Sequence, residues 1–550
     1  MAKRKQAASA SKTQRAPKRQ KQKTPAINNL NIGAPNEALD SALPQDTPSS
    51  SGLSVRVLPL RSVPTLGSLC IRVFSANLAR LYEEEGSRER TRGWLKALPD
   101  ILASKLLAGL RRECPTILSH AFIVANFMRG DSICLTAEMT GVGKHTVAAI
   151  SSVGPGLRAL ELSGLAKIPD LSVANVVSEL PELESVVLRG CAKVSTKTAT
   201  ALASHCPRLT VVNLNHTTPS LGSLINLIGA LEDLQVLKIA EIPNLGDAAF
   251  EKQLTQAFAT AAERDVQPLL KLRTLKIRST SLGDASLSKI LAACPGLTSL
   301  DVSFTKVRRS QSFHLATNPP PLEKLTLTST PMPTAEIEKI LQCPGMRNLK
   351  TLNLAAIGGQ QTPILTDAGL SALSEHMQKM DALENVSLAG NIKLGLAAPG
   401  RGSLLLFVTL VGHKCKTLNL GGIPRLTSVD LRGLYYAHAE LSQAPSPLTL
   451  LALSGTSVDD VAASFIGACT SLDALELANT KFTNDGVFKI IDSCPLLTKI
   501  DVTSCRGIDV RDRRRIFEVR ESLAADRLAS ESSSSSSAPP RSRRTRRSSL

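Results

Sequence analysis

Aromatic residues are scarce in this chain, with one Trp, three Tyr and twelve Phe among 550 residues. An interior without rings must be filled by Leu, Ile, Val and Ala, which disfavours an aromatic-packed sandwich or barrel and suits a stack of similar aliphatic layers. Long apolar runs are missing too. The longest, LLLFVTLVG at 404–412, falls far short of the roughly 20 residues that cross a bilayer, so no membrane association is expected. The first residues are basic but carry no apolar stretch, so they do not form a secretory signal, and the eleven cysteines should be free thiols in a reducing compartment. None of them is spaced C-x-x-C, which argues against a zinc ribbon or redox pair.

Acidic residues are absent from both ends. Residues 1–23 hold nine Lys/Arg and residues 541–550 hold five Arg, so the ends carry fourteen of the net +18 charges. The part between them is close to electrically balanced. Residues 1–55 and 529–550 are rich in Ser, Pro, Gln, Lys and Arg with few apolar anchors, and both are expected to be disordered tails.

Catalytic patterns are missing as well. The eight histidines show no H-E-x-x-H spacing, and no G-x-S-x-G elbow occurs. The string GVGKHT (141–146) looks like part of a phosphate loop. It has Glu138 where the first Gly should stand, however, and His145 where a Ser or Thr should follow the Lys. His205 beside Cys206 suggests a nucleophile pair only until the repeat register places that cysteine in the core. No catalytic residue, metal or cofactor is expected, and the chain reads as a non-enzymatic binding protein.

What is present is a repeat. The frame L-x-x-L-x-L starts at Leu157, Leu183, Leu209, Leu234, Leu272, Leu297, Leu322, Leu349, Leu383, Cys415, Leu448, Leu472 and Leu497. GDSICL (130–135) adds a degenerate first copy, giving about fourteen units over 130–515. Alternation in each L-x-L piece predicts a strand. Asp284 and Asp485 read as helix N-caps, and the Cys-Pro pairs at 206–207, 294–295 and 494–495 as helix ends. Eight residues after the frame start stands Cys191, Thr217, Thr280, Thr305, Thr330, Asn391, Thr456, Thr480 or Cys505, a slot expected to face the turn of the neighbouring unit. The longer gaps, 234 to 272 and 349 through 448, predict insertions or extended helices. The fold class is therefore α/β: a solenoid with parallel strands on its concave face, a helical module before it and basic tails. These repeats resemble the cysteine-containing leucine-rich-repeat family of F-box/LRR, ribonuclease-inhibitor-like proteins, which implies a horseshoe.

Residues 60–128 do not follow the repeat. Thr65 is placed to cap a helix with Leu66, Leu69, Cys70, Val73 and Phe74 on one face. A Glu/Arg-rich linker is expected over 83–92, then a second helix over LKALPDILASKLLAGLRREC with Pro99 near its first turn. One reading is a cap on the solenoid's apolar end. The other rests on TLGSLCIRVF (65–74), which resembles the elongin-C-binding box of SOCS-box proteins, where a helix seats a Leu in a partner's groove. That resemblance makes Leu66 the anchor, Cys70 the close contact and Phe74 the flanking contact, while Leu98-Pro99 is similar to the start of a cullin-contact box. Box, Leu-Pro helix and cysteine-type repeats together resemble two fungal families: the leucine-rich-repeat proteins of nucleotide excision repair (the Rad-seven type) and the antagonists of mitotic exit. The resemblance implies a substrate receptor of a cullin–RING ubiquitin ligase, partnered by an elongin-C-like subunit and a cullin, with a protein substrate on the concave face.

Outward positions of the strands include Lys238 and Lys276, with Arg278 and Lys324 nearby, a basic cluster able to receive an acidic segment or a phosphate. An ordinary solvated surface is the alternative. The N-terminal tail, with Lys3, Arg4 and Lys5 and then Lys18, Arg19, Lys21 and Lys23, reads as a nuclear-import signal or as a direct nucleic-acid contact. Serines beside arginines near the C-terminus offer phosphorylation sites that would lower the charge. Two functions are carried forward: a nuclear ligase adaptor, and a nuclear scaffold binding RNA or DNA through its tails and proteins through its repeats.

Overall fold

The structure is a computed structural model that describes residues 55–57, 65–263, 267–314, 319–359, 362–396, 401–435, 446–509 and 512. Both predicted tails lie outside these residues, apart from Val55. So does the import motif.

Fifteen strands form one sheet. They are β1 (Val55–Val57), β2 (Ser132–Thr136), β3 (Ala159–Ser163), β4 (Ser185–Val187) and β5 (Val211–Asn213). Next come β6 (Val236–Lys238), β7 (Thr274–Lys276), β8 (Ser299–Asp301), β9 (Lys324–Thr326) and β10 (Thr351–Asn353). The last are β11 (Asn385–Ser387), β12 (Thr417–Asn419), β13 (Leu450–Ala452), β14 (Ala474–Glu476) and β15 (Lys499–Asp501). From β2 to β15 each strand pairs in parallel with the next, so the fourteen repeat units form a solenoid with sequence order equal to spatial order. β1 departs from this pattern. It lies antiparallel on β15, Val55 opposite Asp501, and covers the edge that the last rung would otherwise leave unpaired.

Leucines of the frame fill the interior, and Leu157, Leu209, Leu297, Leu383 and Leu497 are all 2% exposed or less. Seven residues after each frame start, the backbone turns left-handed: Gly164, Gly190, Gly390, Gly422 and Gly455, but also His216, Glu241, Ser279, Phe304, Ser329, Ala356, Asn479 and Ser504. This turn brings the chain out of the strand, and glycine fills it without steric cost.

The polar slot one residue later works differently from expectation. The hydroxyls of Thr217, Thr280, Thr305, Thr330, Thr456 and Thr480 donate to carbonyls three residues earlier, closing their own turns. Cys191, Asn391 and Cys505 reach the preceding rung, through the Leu162, Leu354 and Leu477 carbonyls. The Thr480 hydroxyl also lies 3.4 Å from Cys505 Sγ, so the longer-bonded thiol closes the distance between two rungs.

The aspartates also need correcting. Asp284 follows the N-cap Gly283, and Asp485 lies in the first turn of a helix capped at Thr483. Asp284 accepts the Arg308 and Arg309 amides of the next rung. Asp170 accepts the Ser195, Lys197 and Thr198 amides and both hydroxyls, and Asp247 the Gly283 and Ser286 amides. At these three helix starts a carboxylate thus ties down the next rung. Burial pushes the Asp170 carboxyl up, but the bonds from Thr198 and Ser195 outweigh it and hold it below the usual range; Asp247 behaves likewise, through Ser286 and Gly283. Depressed carboxyls contribute stability that is complete above their unfolded values, about 3.9, and lost as pH falls through the lower folded ones. Acid unfolding of Asp170→Asn plus Asp247→Asn, followed by circular dichroism, should show a shallower stability loss below about pH 4 than wild type. Equal slopes would mean that the ties carry no proton linkage.

The repeat cysteines from Cys191 to Cys505 are core, while Cys134 on β2 is half-buried. Cys206, Cys294 and Cys494 stand at helix C-caps, and burial pushes the Cys206 and Cys294 thiols up to about 12. The 234-to-272 gap holds a helix over Asp247–Ala262, longer than the ten-residue Asp284–Ala293 of the next unit. Among the described residues no helix is long and apolar enough to cross a membrane.

Among the described residues four α-helices precede the solenoid: α1 (Leu66–Glu83), α2 (Glu85–Ala97), α3 (Asp100–Glu113) and α4 (His120–Phe127). The expected linker over 83–92 is mostly α2. It lacks an apolar stripe because it needs only Thr91 and Leu95 to face inward. The predicted second helix is two helices: Leu98 and Pro99 separate α2 from α3, since a residue before proline avoids helical backbone.

Candidate functional site

Thr65 caps α1, its hydroxyl accepting the Ser68 amide at 3.3 Å. The single apolar face expected for this helix is split in two. Ile71 and Phe74 are half-buried against the core, and Ser75 and Leu78 are buried. Leu66 is 77% exposed, Cys70 is exposed and Val73 is 60% exposed. Residues 66, 70 and 73 follow the i, i+4, i+7 rule of one helix face, so the anchor and close-contact positions point away from the fold together. Phe74 belongs to the inner face.

α3 crosses α1 at Gly109, where a methyl would sit 2.9 Å from both Ile71 Cγ2 and Ser75 Oγ. α2 and α3 add three more exposed apolar side chains, Trp94, Ile101 and Leu102. The turn between them is held by Arg129, a residue without any motif of its own. The Arg129 guanidinium donates to the Lys96, Leu95 and Leu98 carbonyls at 2.6, 2.9 and 2.7 Å, and its Nε lies 3.5 Å from Asp100 Oδ1. Leu98 is half-buried and Pro99 exposed.

GVGKHT is the joint between this module and the first rung. The Gly141 amide donates to the Leu118 carbonyl at 3.1 Å, and His120 Nδ1 lies 2.9 Å from the Thr146 hydroxyl. Gly141 serves packing, since a Cβ there would stand 2.3 Å from the Leu118 carbonyl oxygen.

On the strands, Lys238 and Lys276 lie side by side in register on β6 and β7. Lys324 opens β9, and the Arg278 guanidinium sits 5.0 Å from the centre of the Phe304 ring. Burial, then the Lys276 charge, push the Lys324 ammonium down, partly offset by Asp301. The four basic residues are thus brought together with an aromatic side chain that sequence reading passed over. Among the described residues no group of three or more His, Cys, Asp or Glu is placed to hold a metal ion.

Short parallel strands, a left-handed turn at a fixed offset and leucine or another aliphatic residue at nearly every inward position define a leucine-rich-repeat solenoid. Solved structures similar to it include the Rad7–Elc1 complex of yeast (15% identity, TM-score 0.44, covering 77% of this chain and 95% of that one). An internalin from Listeria monocytogenes (17%, TM-score 0.35, 68% and 89%) and TLR13 bound to ssRNA13 (17%, TM-score 0.35, 60% and 43%) are others. No family model and no curated protein matches the sequence.

Proposed function

We propose that this protein is the substrate-recognition adaptor of an elongin-C-type cullin–RING ubiquitin ligase. In this reading the outer face of α1 docks the elongin-C-like subunit, the Leu98-Pro99 turn meets the cullin, and the solenoid holds the client. Ubiquitin transfer itself belongs to other subunits. The observation that carries it is the outward pairing of Leu66 and Cys70 in the box-like segment, on a helix whose inner face alone holds it to the fold. Leu66, Cys70 and Val73 share that outward face, an apolar stripe of the kind a docked partner covers. The basic N-terminal tail suits nuclear import, and the nucleotide-excision-repair resemblance suits a nuclear client.

Co-expression with an elongin-C homologue and a cullin tests the reading. Wild type should capture both, and Leu66→Ala plus Cys70→Ala should lose them while the circular-dichroism melt stays within about 0.5 kcal/mol of wild type, since exposed side chains contribute little to folding. RNA or DNA bound through residues 1–23, with no ligase subunit retained, would overturn it in favour of a nucleic-acid scaffold.

A further inference from the structure

The centre of the concave face gathers cations and an exposed ring that the strands on either side do not carry. At the third strand position Asn213, Asp301, Asn353, Asn419 and Asp501 each accept the amide two residues on, which holds the chain as it leaves the strand. Lys238 and Lys276 occupy the same position on β6 and β7, and an ammonium cannot accept that bond. Neighbouring strands lie about 4.8 Å apart, so two like charges are placed side by side. Lys324 adds a third, half-buried cation whose charge Lys276 opposes.

Phe304 places a large apolar ring in a turn that most other units give to glycine or a polar residue. It takes the left-handed turn at φ +55°, a conformation that costs a residue with a side chain on the order of 1 kcal/mol. Burial does not compensate, because the ring is 43% exposed and lies against the Arg278 guanidinium. Concentrated departures of this kind mark surfaces shaped for binding.

We infer that Lys238, Lys276, Arg278 and Lys324 with Phe304 form the client site, and that it takes an extended acidic segment of a protein, carboxylates on the cations and an apolar side chain on the Phe304 ring. The inference rests on the reading of the solenoid as a client receptor. From β6 to β9 the patch spans about 14 Å, the length of about four extended residues. Asp301 within it opposes a continuous phosphate backbone but fits a segment whose charged and uncharged side chains alternate. The outward strand positions carry no aromatic residue, so the row of stacking platforms that single strands use is missing.

Fluorescence anisotropy of the full chain with a short labelled peptide alternating Asp and Leu, its Asn/Leu counterpart and a labelled oligothymidylate tests this. The acidic peptide should bind in a salt-sensitive manner and the neutral one at least about tenfold more weakly. Lys238→Glu plus Lys276→Glu should weaken binding by about tenfold or more, and Phe304→Gly, which relieves the backbone and folds at least as well, by several-fold. Leu66→Ala plus Cys70→Ala should bind the peptide like wild type. Absence of peptide binding, indifference to the lysine and Phe304 changes, or stronger binding of the oligonucleotide at the same residues would overturn the inference. Elongin-C capture by the same preparations reports separately on the adaptor reading.

Discussion

Gly141→Ala should detach the helical module from the first rung, whereas Gly143→Ala, two residues away in the same GVGKHT string, should be silent. The ideal Cβ at 141 would stand 2.3 Å from the Leu118 carbonyl oxygen, 2.4 Å from Ser119 Cα and 2.6 Å from the His120 amide nitrogen. All three are backbone atoms, so no side chain can swing aside, and the hydrogen bond from the Gly141 amide to Leu118 is lost with the displacement. Gly143 has nothing within 4 Å of its Cβ position and an extended backbone, φ −142°. A cost on the order of 4 kcal/mol is expected at 141 from one methyl group. It falls on a joint, so its signature is regional. Hydrogen exchange should quicken over residues 65–127 while the strands from β4 onward keep their protection. Uniform acceleration would mean that module and solenoid unfold as one unit, and equal behaviour of the two variants would refute the packing role.

What could be read from the sequence divides along physical lines. The repeat frame was visible because every rung must bury the same positions, and only a few aliphatic residues satisfy that demand. The left-handed turn is just as regular, yet it was missed. Gly, Ser and Asn hint at it, but His216, Glu241, Phe304 and Ala356 occupy it too, and a backbone angle constrains residue identity less than burial does. Asp284 was recognised as belonging to a helix start but not as a tie to the next rung, because that partner lies 24 residues away in the chain. In the module, one helix carries two apolar faces, and periodicity alone joined Phe74 to Leu66 although they look in different directions.

The same distinction bears on function. Burial patterns reveal the scaffold; a site shows where a residue does something the scaffold does not require. Leu66 exposed on α1, Lys238 beside Lys276, and Phe304 in a turn suited to glycine are such residues. Leu66 and the lysine pair stand out in the sequence as well, whereas Phe304 emerges only from the structure, which sets its ring against Arg278.

Arg129→Ala should loosen the Leu98-Pro99 turn and shift the outer face of α3 relative to α1. The last carbonyls of α2 have no intrahelical donor, and Pro99 lacks the amide that would supply one. One guanidinium fills that gap with three hydrogen bonds and stands near Asp100 at the start of α3, so it fixes the end of one helix and the beginning of the next. Lysine cannot replace it, having a single nitrogen where a planar fork is needed. Because Arg129 is partly buried and bonds to charged hydrogen donors are the stronger kind, the loss should be about 2 to 3 kcal/mol. Proteolysis should then cut first near residues 97–100, and Arg129→Lys should recover less than half of the loss. In the adaptor reading the consequence is selective. Elongin-C capture depends on the outer face of α1 and should persist, while cullin capture, which needs the Leu98-Pro99 turn, should fall at least about tenfold, the equivalent of 1.4 kcal/mol. Cullin capture unchanged by Arg129→Ala, with the turn shown to be loosened, would remove Leu98 and Pro99 from the interface.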